Sequence, residues 1–318
     1  MSKYANIWDE KDDLVTDSEA DKNSPWFKMM RWMPKGQRVL DVGCSSGYFG
    51  EKLIAARGDE VWGLEIDPKD AANARKRGYK QVFEGDLDSF DWQQLSGLQF
   101  DAILFVDVLE HIKDPLGCLK AVSKYLAKGG SFYCSIPNVA NMTVRTELME
   151  GSFDYESTGL LDNTHIRFFT KKTVFTTFAA AGLEIVNIDA TVGDHSDGHI
   201  KAHLQKLGLE PTAKFDKLLA SPEARTFQFV VEAKKASGTP SVPPEYSIPS
   251  KLHDDWPTIA QKMDDDDARI KELERENRGL HERLEAAEER WATVRRHPVR
   301  WIAKAAARRV KGRGTPGA

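Results

Sequence analysis

Cysteine is scarce in this chain: three in 318 residues, at Cys44, Cys118 and Cys134. Their spacing fits neither a disulfide framework nor a cysteine zinc site, which excludes a stapled scaffold and favours a reducing compartment. Long apolar runs are missing as well. No stretch has the length that crosses a bilayer, and no leader pattern is seen, so a cytoplasmic placement is expected. Neither sign of charge dominates: 45 basic and 49 acidic residues leave a net charge of −4 and an isoelectric point near 6.1. That removes the global signature of a nucleic-acid binder, and no nucleic-acid partner is expected. No internal repeat is found. With 41% apolar residues and a mean hydropathy of −0.49, the chain can bury a core and still carry a polar appendage.

What is present is a strand that runs into a glycine-broken turn and then a helix: Val39-Leu-Asp-Val-Gly-Cys-Ser-Ser-Gly-Tyr-Phe-Gly50. Val39, Leu40 and Val42 suit a central parallel strand, Asp41 falls near its carboxyl end, and Gly43 and Gly47 let backbone approach a ligand. A dinucleotide fold prefers G-x-G-x-x-G. Here Ser45 stands where the middle glycine would be, which weakens a pyrophosphate reading. A second strand, Val61-Trp-Gly-Leu-Glu-Ile-Asp-Pro68, places Glu65 where a carboxylate accepts both ribose hydroxyls. Gln81 to Asp86 forms a third unit ending in acid. Phe100 to Val106 is a fourth, opening into Asp107, Glu110 and His111; a Gly-Gly turn then leads to a fifth strand ending near Asn138.

In series these segments resemble the class I, Rossmann-like, S-adenosylmethionine-dependent methyltransferases, from about Val39 to Lys234. The resemblance implies an α/β fold with a doubly wound, seven-stranded, mostly parallel sheet and S-adenosylmethionine as cofactor. It implies that Asp41, Gly43, Cys44 and Gly47 surround the methionine part, and that Glu65 with Ile66 holds the ribose side. Asp86 and Leu87 would flank the adenine, with Asp107 and Val108 near the methionyl group. Ser45 departs from the commonest glycine pattern and bears on the local loop geometry. Taken alone, Asp41 and Glu65 read more commonly as strand-end acids capping neighbouring helices, and Asp86 also as turn chemistry.

Gly159-Leu-Leu-Asp-Asn-Thr-His-Ile-Arg-Phe-Phe-Thr170 follows the fifth strand, where an α/β sheet places its substrate loop. It is similar to an Asp-x-x-His-x-Arg-Phe-Phe-Thr signature in a branch of these methyltransferases, many of them similar to enzymes acting on glycans and other hydroxylated metabolites. Thr170 reads as a helix N-cap, and Phe168 and Phe169 as packing anchors. His165 is the candidate general base, since imidazole is suited to removing a hydroxyl proton near neutral pH; a structural histidine on a loop carbonyl is the competing reading. Arg167 is expected to pair with Asp162 or a cofactor-side acid. His111, Asn138, Arg167 and His195 are the candidate acceptor contacts. His195 and His199 offer two imidazoles without an evident third ligand, and no resident metal is expected.

Five segments are expected: a flexible start over 1–23, with Tyr4 and Trp8 near the cleft; the methyltransferase domain over 24–235; a Pro/Ser-rich linker over 236–258; a coiled-coil helix over 259–296; and a basic amphipathic tail over 297–318. Leu273, Asn277, Leu280, Leu284, Ala287, Trp291 and Val294 step by three and four, and a buried amide at Asn277 favours a parallel homodimer through 270–294. A single solvated helix held by Glu/Arg pairs is the alternative. The one-signed tail, with Trp301 at its margin, fits an interfacial helix over 298–313 on an anionic membrane, at the inner face of the plasma membrane; a soluble or nucleic-acid-binding tail is the bland reading. The function expected is O-methylation of a hydroxyl on a saccharide or lipid-linked glycan. A small quinone, phenol or polyketide acceptor comes second, then a degenerate cofactor-binding scaffold acting through its coiled coil, and an NAD-linked oxidoreductase is a distant fourth.

Overall fold

The computed structural model describes residues 22–193 and 196–240, with further helical positions at Arg269, Glu272, Arg275, Arg278 and Gly279. The chain divides into two units, Met1–Pro257 and Thr258–Ala318. Within the second, Arg269 pairs with Glu272 one helical turn on. The heptad seam, the basic tail, Tyr4, Trp8 and His195 lie outside the described residues.

The first unit is built on a seven-stranded sheet of order β3-β2-β1-β4-β5-β7-β6. Its strands are β1 (Arg38–Val42), β2 (Glu60–Glu65), β3 (Gln81–Glu84), β4 (Phe100–Val106), β5 (Leu126–Pro137), β6 (Leu183–Val192) and β7 (Thr226–Lys235). The first five pair in parallel, and β7 inserts antiparallel between β5 and β6. Chain order reverses between β1 and β4, which opens a crevice at the carboxyl ends of those strands, where open α/β sheets bind ligands. The expected fold of this domain is therefore present.

Local chemistry explains the crossovers. Helix α1 (Pro25–Trp32) starts after Ser24 with Pro25 at N1, although the Ser24 hydroxyl makes no capping bond. It packs on β5, β6 and β7, where the buried Lys28 meets Asp189 at 3.2 Å. Helix α2 (Tyr48–Arg57) leaves directly from left-handed Gly47. Helix α3 (Pro68–Lys76) is capped by Asp67, whose carboxylate accepts from the amides of Lys69 and Asp70. Asp114 caps α4 (Pro115–Val122) and Asn141 caps α5 (Met142–Glu150) in the same manner. Thr170 and Thr173 form a reciprocal box at the start of α6 (Lys171–Ala180), and Phe169 enters the core beside it, as the sequence leads one to expect. Between β6 and β7 stand α7 (Asp197–Lys206), α8 (Ala213–Leu219) and α9 (Pro222–Arg225).

The sheet carries a core on each face. Leu40, Ile103, Phe105, Phe132 and Phe178 belong to one, and Val39, Leu53, Leu104, Tyr133 and Val230 to the other. Neighbouring positions along β1 and β4 thus point to opposite cores, which is why these strands read as unbroken apolar runs rather than alternating ones.

Candidate functional site

The turn after β1 is laced to the end of β2. The amides of Gly43 and Cys44 both donate to the Leu64 carbonyl, at 2.8 and 3.1 Å. Ser45 takes a left-handed backbone with φ +46°, and its amide donates to Glu65 Oε2 at 2.7 Å. The second oxygen of Glu65 accepts from Ile66 and Asp67, each at 2.9 Å. Glu65 is thus oriented by three backbone donors, and burial still raises its pKa. Ser45 in place of glycine is accommodated because this bond rewards the left-handed conformation.

Gly43 and Gly47 serve neighbouring chain. A Cβ on Gly43 would lie 2.6 Å from Val108 Cγ2, and one on Gly47 would lie 2.6 Å from the backbone of Ala74 in α3. Their missing side chains let the β4 loop and α3 close on the turn. Cys44 is buried in the same turn, and desolvation pushes its thiol far above the ordinary range. Asp41 lies beneath it, fully inside, where the Tyr79 hydroxyl donates to its Oδ2 at 2.6 Å. Desolvation raises Asp41 to about 6, against the lowering bond from Tyr79.

Beyond Glu65 the surface changes character. Ile66 is 63% exposed, an aliphatic face open beside the Glu65 carboxyl group. Leu87 is half-buried against the core, and exposed Asp86 turns one oxygen to the Asp88 amide. These groups fit a nucleoside: an acid for the ribose hydroxyls, apolar surface for the base, and a further acid at its rim. The residues fit S-adenosylmethionine on that ground.

Asp107 stands across the crevice with φ +55°. Its Oδ1 accepts from Ser135 Oγ and Gln228 Nε2, both at 2.7 Å, which fixes the carboxylate; burial raises its pKa. Ser135 and Gln228 were not legible in the sequence as site residues, because β5 and β7 are far from Asp107 along the chain.

The next turn, Leu109–His111, carries a second group of polar side chains. The Glu110 carbonyl accepts from the amides of Ile166 and Arg167, both at 2.9 Å, which docks the 159–170 loop onto this turn. Docking brings His165 to His111, with ring centroids 4.8 Å apart, and puts His165 Nε2 4.0 Å from Glu110 Oε1. His165 Nδ1 is held by the Leu160 carbonyl at 3.0 Å and His111 Nδ1 by that of Thr164 at 3.1 Å. Desolvation lowers the pKa of His165 and raises that of Glu110 well above the carboxylate range. Glu110 is 1% exposed, and neither of its carboxylate oxygens has a hydrogen-bond partner. Phe153, Tyr155 and Phe168 form an edge-to-face chain of rings alongside, Phe168 lying 6.5 Å from His165.

The other expected acceptor contacts fall differently. Asn138 is fully buried and its amide is spent on the carbonyls of Glu223 and Thr226, so it fastens the end of β5 to β7 instead of facing a ligand. Arg167 does not take a carboxylate: its guanidinium donates to the Lys113 carbonyl, because Asp162 is turned inward onto the Thr164 amide and hydroxyl. His199 lies exposed in the first turn of α7.

Known proteins share this chain's pattern. A segment of 106 residues is 32% identical to the ubiquinone biosynthesis O-methyltransferase of Xanthomonas oryzae pv. oryzae, covering 32% of this chain and 44% of that protein. The enzyme of the same name from Dinoroseobacter shibae is 36% identical over 106 residues, 33% of this chain and 42% of that one. The matched region thus spans less than half the length of these relatives. A solved S-adenosylmethionine-dependent methyltransferase from Archaeoglobus fulgidus aligns over 69% of this chain and 95% of its own, at 17% identity and a TM-score of 0.48. Residues 21–188, more than half of the chain, match the methyltransferase domain family. The chain belongs to that family of methyltransferases, and its cofactor is S-adenosylmethionine.

Proposed function

We propose that this methyltransferase acts on oxygen, and that its acceptor is the hydroxyl of an apolar, aromatic molecule of the phenol or quinol kind. The observation that carries this is the group of Glu110, His111 and His165, a polar cluster with Glu110 and His165 buried and His111 half-buried, set beside the rings of Phe153, Tyr155 and Phe168. Aromatic walls suit a flat, apolar acceptor, and the cluster suits its reacting hydroxyl. The names of the Xanthomonas and Dinoroseobacter relatives favour the same acceptor class. A saccharide hydroxyl has only the substrate-loop pattern and the basic tail in its favour.

The cofactor supplies an electrophilic methyl group on a sulfonium. The chain's part is to hold the reacting atoms in line and exclude water. Glu65 and Asp107 would hold the cofactor from the two sides of the crevice, and the docked 159–170 loop would position the acceptor hydroxyl. With S-adenosylmethionine held there, the acceptor oxygen would take the methyl group from sulfur, which would keep the bonding electron pair, and His165 Nε2 would receive the hydroxyl proton. His165 Nδ1 on the Leu160 carbonyl fixes the tautomer that leaves Nε2 able to accept.

An acceptor screen with labelled S-adenosylmethionine tests this. Catechol-type and prenylated phenol acceptors should be turned over, and nucleotide-linked and lipid-linked sugars should not; the reverse result restores the saccharide reading. His165→Ala should cut turnover by about 100-fold or more while S-adenosylhomocysteine binding is kept. Normal turnover would sink the base role.

The reading extends to the far end of the chain. Residues 270–294 pair two copies, and 298–313 lie on anionic lipid at the inner membrane face, where an apolar acceptor would be found; the heptad spacing and the one-signed charge support this.

A further inference from the structure

The Glu110 carboxylate is out of place as it stands. A buried carboxyl group with no donor on either oxygen carries a desolvation cost that folded proteins seldom leave uncompensated. Nearby charge makes matters worse, since Asp107 and Asp162 are both close enough to act on it. What lies around it explains the arrangement. Among the described residues, Glu110, His111 and His165 bring one ligand atom each to within 4.8 Å of one another.

We propose that Glu110, His111 and His165 form a divalent-cation site of the two-imidazole, one-carboxylate type, taking Zn2+ or Mn2+. The donor set is the argument for the ion class: imidazole nitrogens suit transition cations, whereas Mg2+ and Ca2+ prefer an all-oxygen shell. Both histidines carry the outer contacts that metal-bound imidazoles have, each with Nδ1 on a backbone carbonyl, Leu160 for His165 and Thr164 for His111. Asp107 and Asp162 add negative potential without entering the ligand set. Ligand atoms at about 2.1 Å from one ion stand roughly 3.4 Å apart. Closing from the present spacing asks for side-chain movements of about 1 Å, and the docking of the 159–170 loop on the Glu110 carbonyl already fixes the approach.

Three protein ligands leave coordination positions open. An acceptor hydroxyl bound there would have its pKa lowered by the ion, which would then replace His165 as the means of freeing the oxygen. Only this use of the open position rests on the proposed acceptor; the binding of the ion does not.

The test uses the full chain, freed of metal by chelator, with neither acceptor nor cofactor added. Titration with MnCl2 followed by electron paramagnetic resonance, and with ZnCl2 by calorimetry, should each show one saturable equivalent. Glu110→Gln and His165→Ala should weaken both by roughly 10- to 100-fold, with S-adenosylhomocysteine affinity reporting that each variant is folded. Absence of saturable binding below millimolar ion, or equal binding by folded variants, overturns the site. Should a variant fail to fold, pulsed resonance on the Mn2+-loaded parent decides: coupling to imidazole nitrogen supports the site and its absence overturns it. Because no acceptor is present, failure of the phenol reading leaves these outcomes readable.

Discussion

Glu65 shows how one side chain can be both structure and site. Its carboxylate collects the amides of Ser45, Ile66 and Asp67, so it pins the turn after β1 and is the acid proposed to take the ribose hydroxyls. Charged hydrogen bonds of this kind contribute about 1.5–3 kcal/mol each. Glu65→Ala should therefore weaken S-adenosylhomocysteine binding by about 10- to 100-fold and also lower the thermal midpoint, read by calorimetry on one sample. Unchanged affinity would remove the ribose role. Asp41 makes a separate prediction through pH. It titrates near 6 in the native protein against an ordinary 3.8, because burial outweighs the Tyr79 bond. An acid whose native pKa is raised holds its proton more tightly when folded. Its contribution is full below about pH 4 and is lost as pH climbs through 6, by roughly 3 kcal/mol. Asp41→Asn stays neutral throughout. In urea titrations the stability of the variant relative to the parent should rise between pH 4 and pH 7, and a flat difference would mean that Asp41 titrates ordinarily.

At the scale of elements, the glycines of the turn after β1 carry a sharper test than their sequence spacing suggests. A methyl on Gly47 meets the backbone of α3, which cannot move aside as a flexible side chain can, and the residue holds φ +86°. Gly47→Ala should cost about 2–3 kcal/mol and weaken cofactor binding with it. At Thr170, loss of the hydroxyl from the reciprocal cap should cost about 1 kcal/mol, seen in the denaturation midpoint, without touching cofactor affinity. Both elements were legible in the sequence. The strand-turn-helix of residues 39–50 and the cap at Thr170 are local patterns, written in residues a few positions apart. Distant pairings were not. That Gln228 and Ser135 fix Asp107, or that His165 meets Glu110 and His111, depends on the sheet order and on the docking of a loop some 50 positions away in the chain. Asn138 shows the converse: a polar residue ending a strand looks like a ligand contact, yet here it satisfies the carbonyls of Glu223 in α9 and Thr226 at the start of β7.

For the whole molecule the question is why a methyltransferase domain should be followed by a heptad seam and a cationic end. Either feature alone would give weak attachment: on the proposed interfacial helix the apolar positions Val299, Ile302, Ala306 and Val310 are few, and one such helix would bind lipid loosely. Two copies joined by the proposed coiled coil would bind together, so the second contact would occur at high local concentration and the combined affinity would exceed either by orders of magnitude. The two features therefore predict one coupled behaviour. In sedimentation equilibrium the full chain should run at twice its 35.7 kDa mass. Replacing Leu280 and Leu284 together by Asp puts charge into the seam and should return it to the single-chain mass. The same substitution should lower association with phosphatidylglycerol vesicles by about 100-fold while leaving S-adenosylhomocysteine affinity alone, and raised salt should release the parent from the vesicles. A variant that becomes monomeric yet binds vesicles as tightly as the parent would show that the basic end holds the membrane by itself. A parent that is monomeric at all concentrations would assign the Glu/Arg-rich stretch to a solvated single helix.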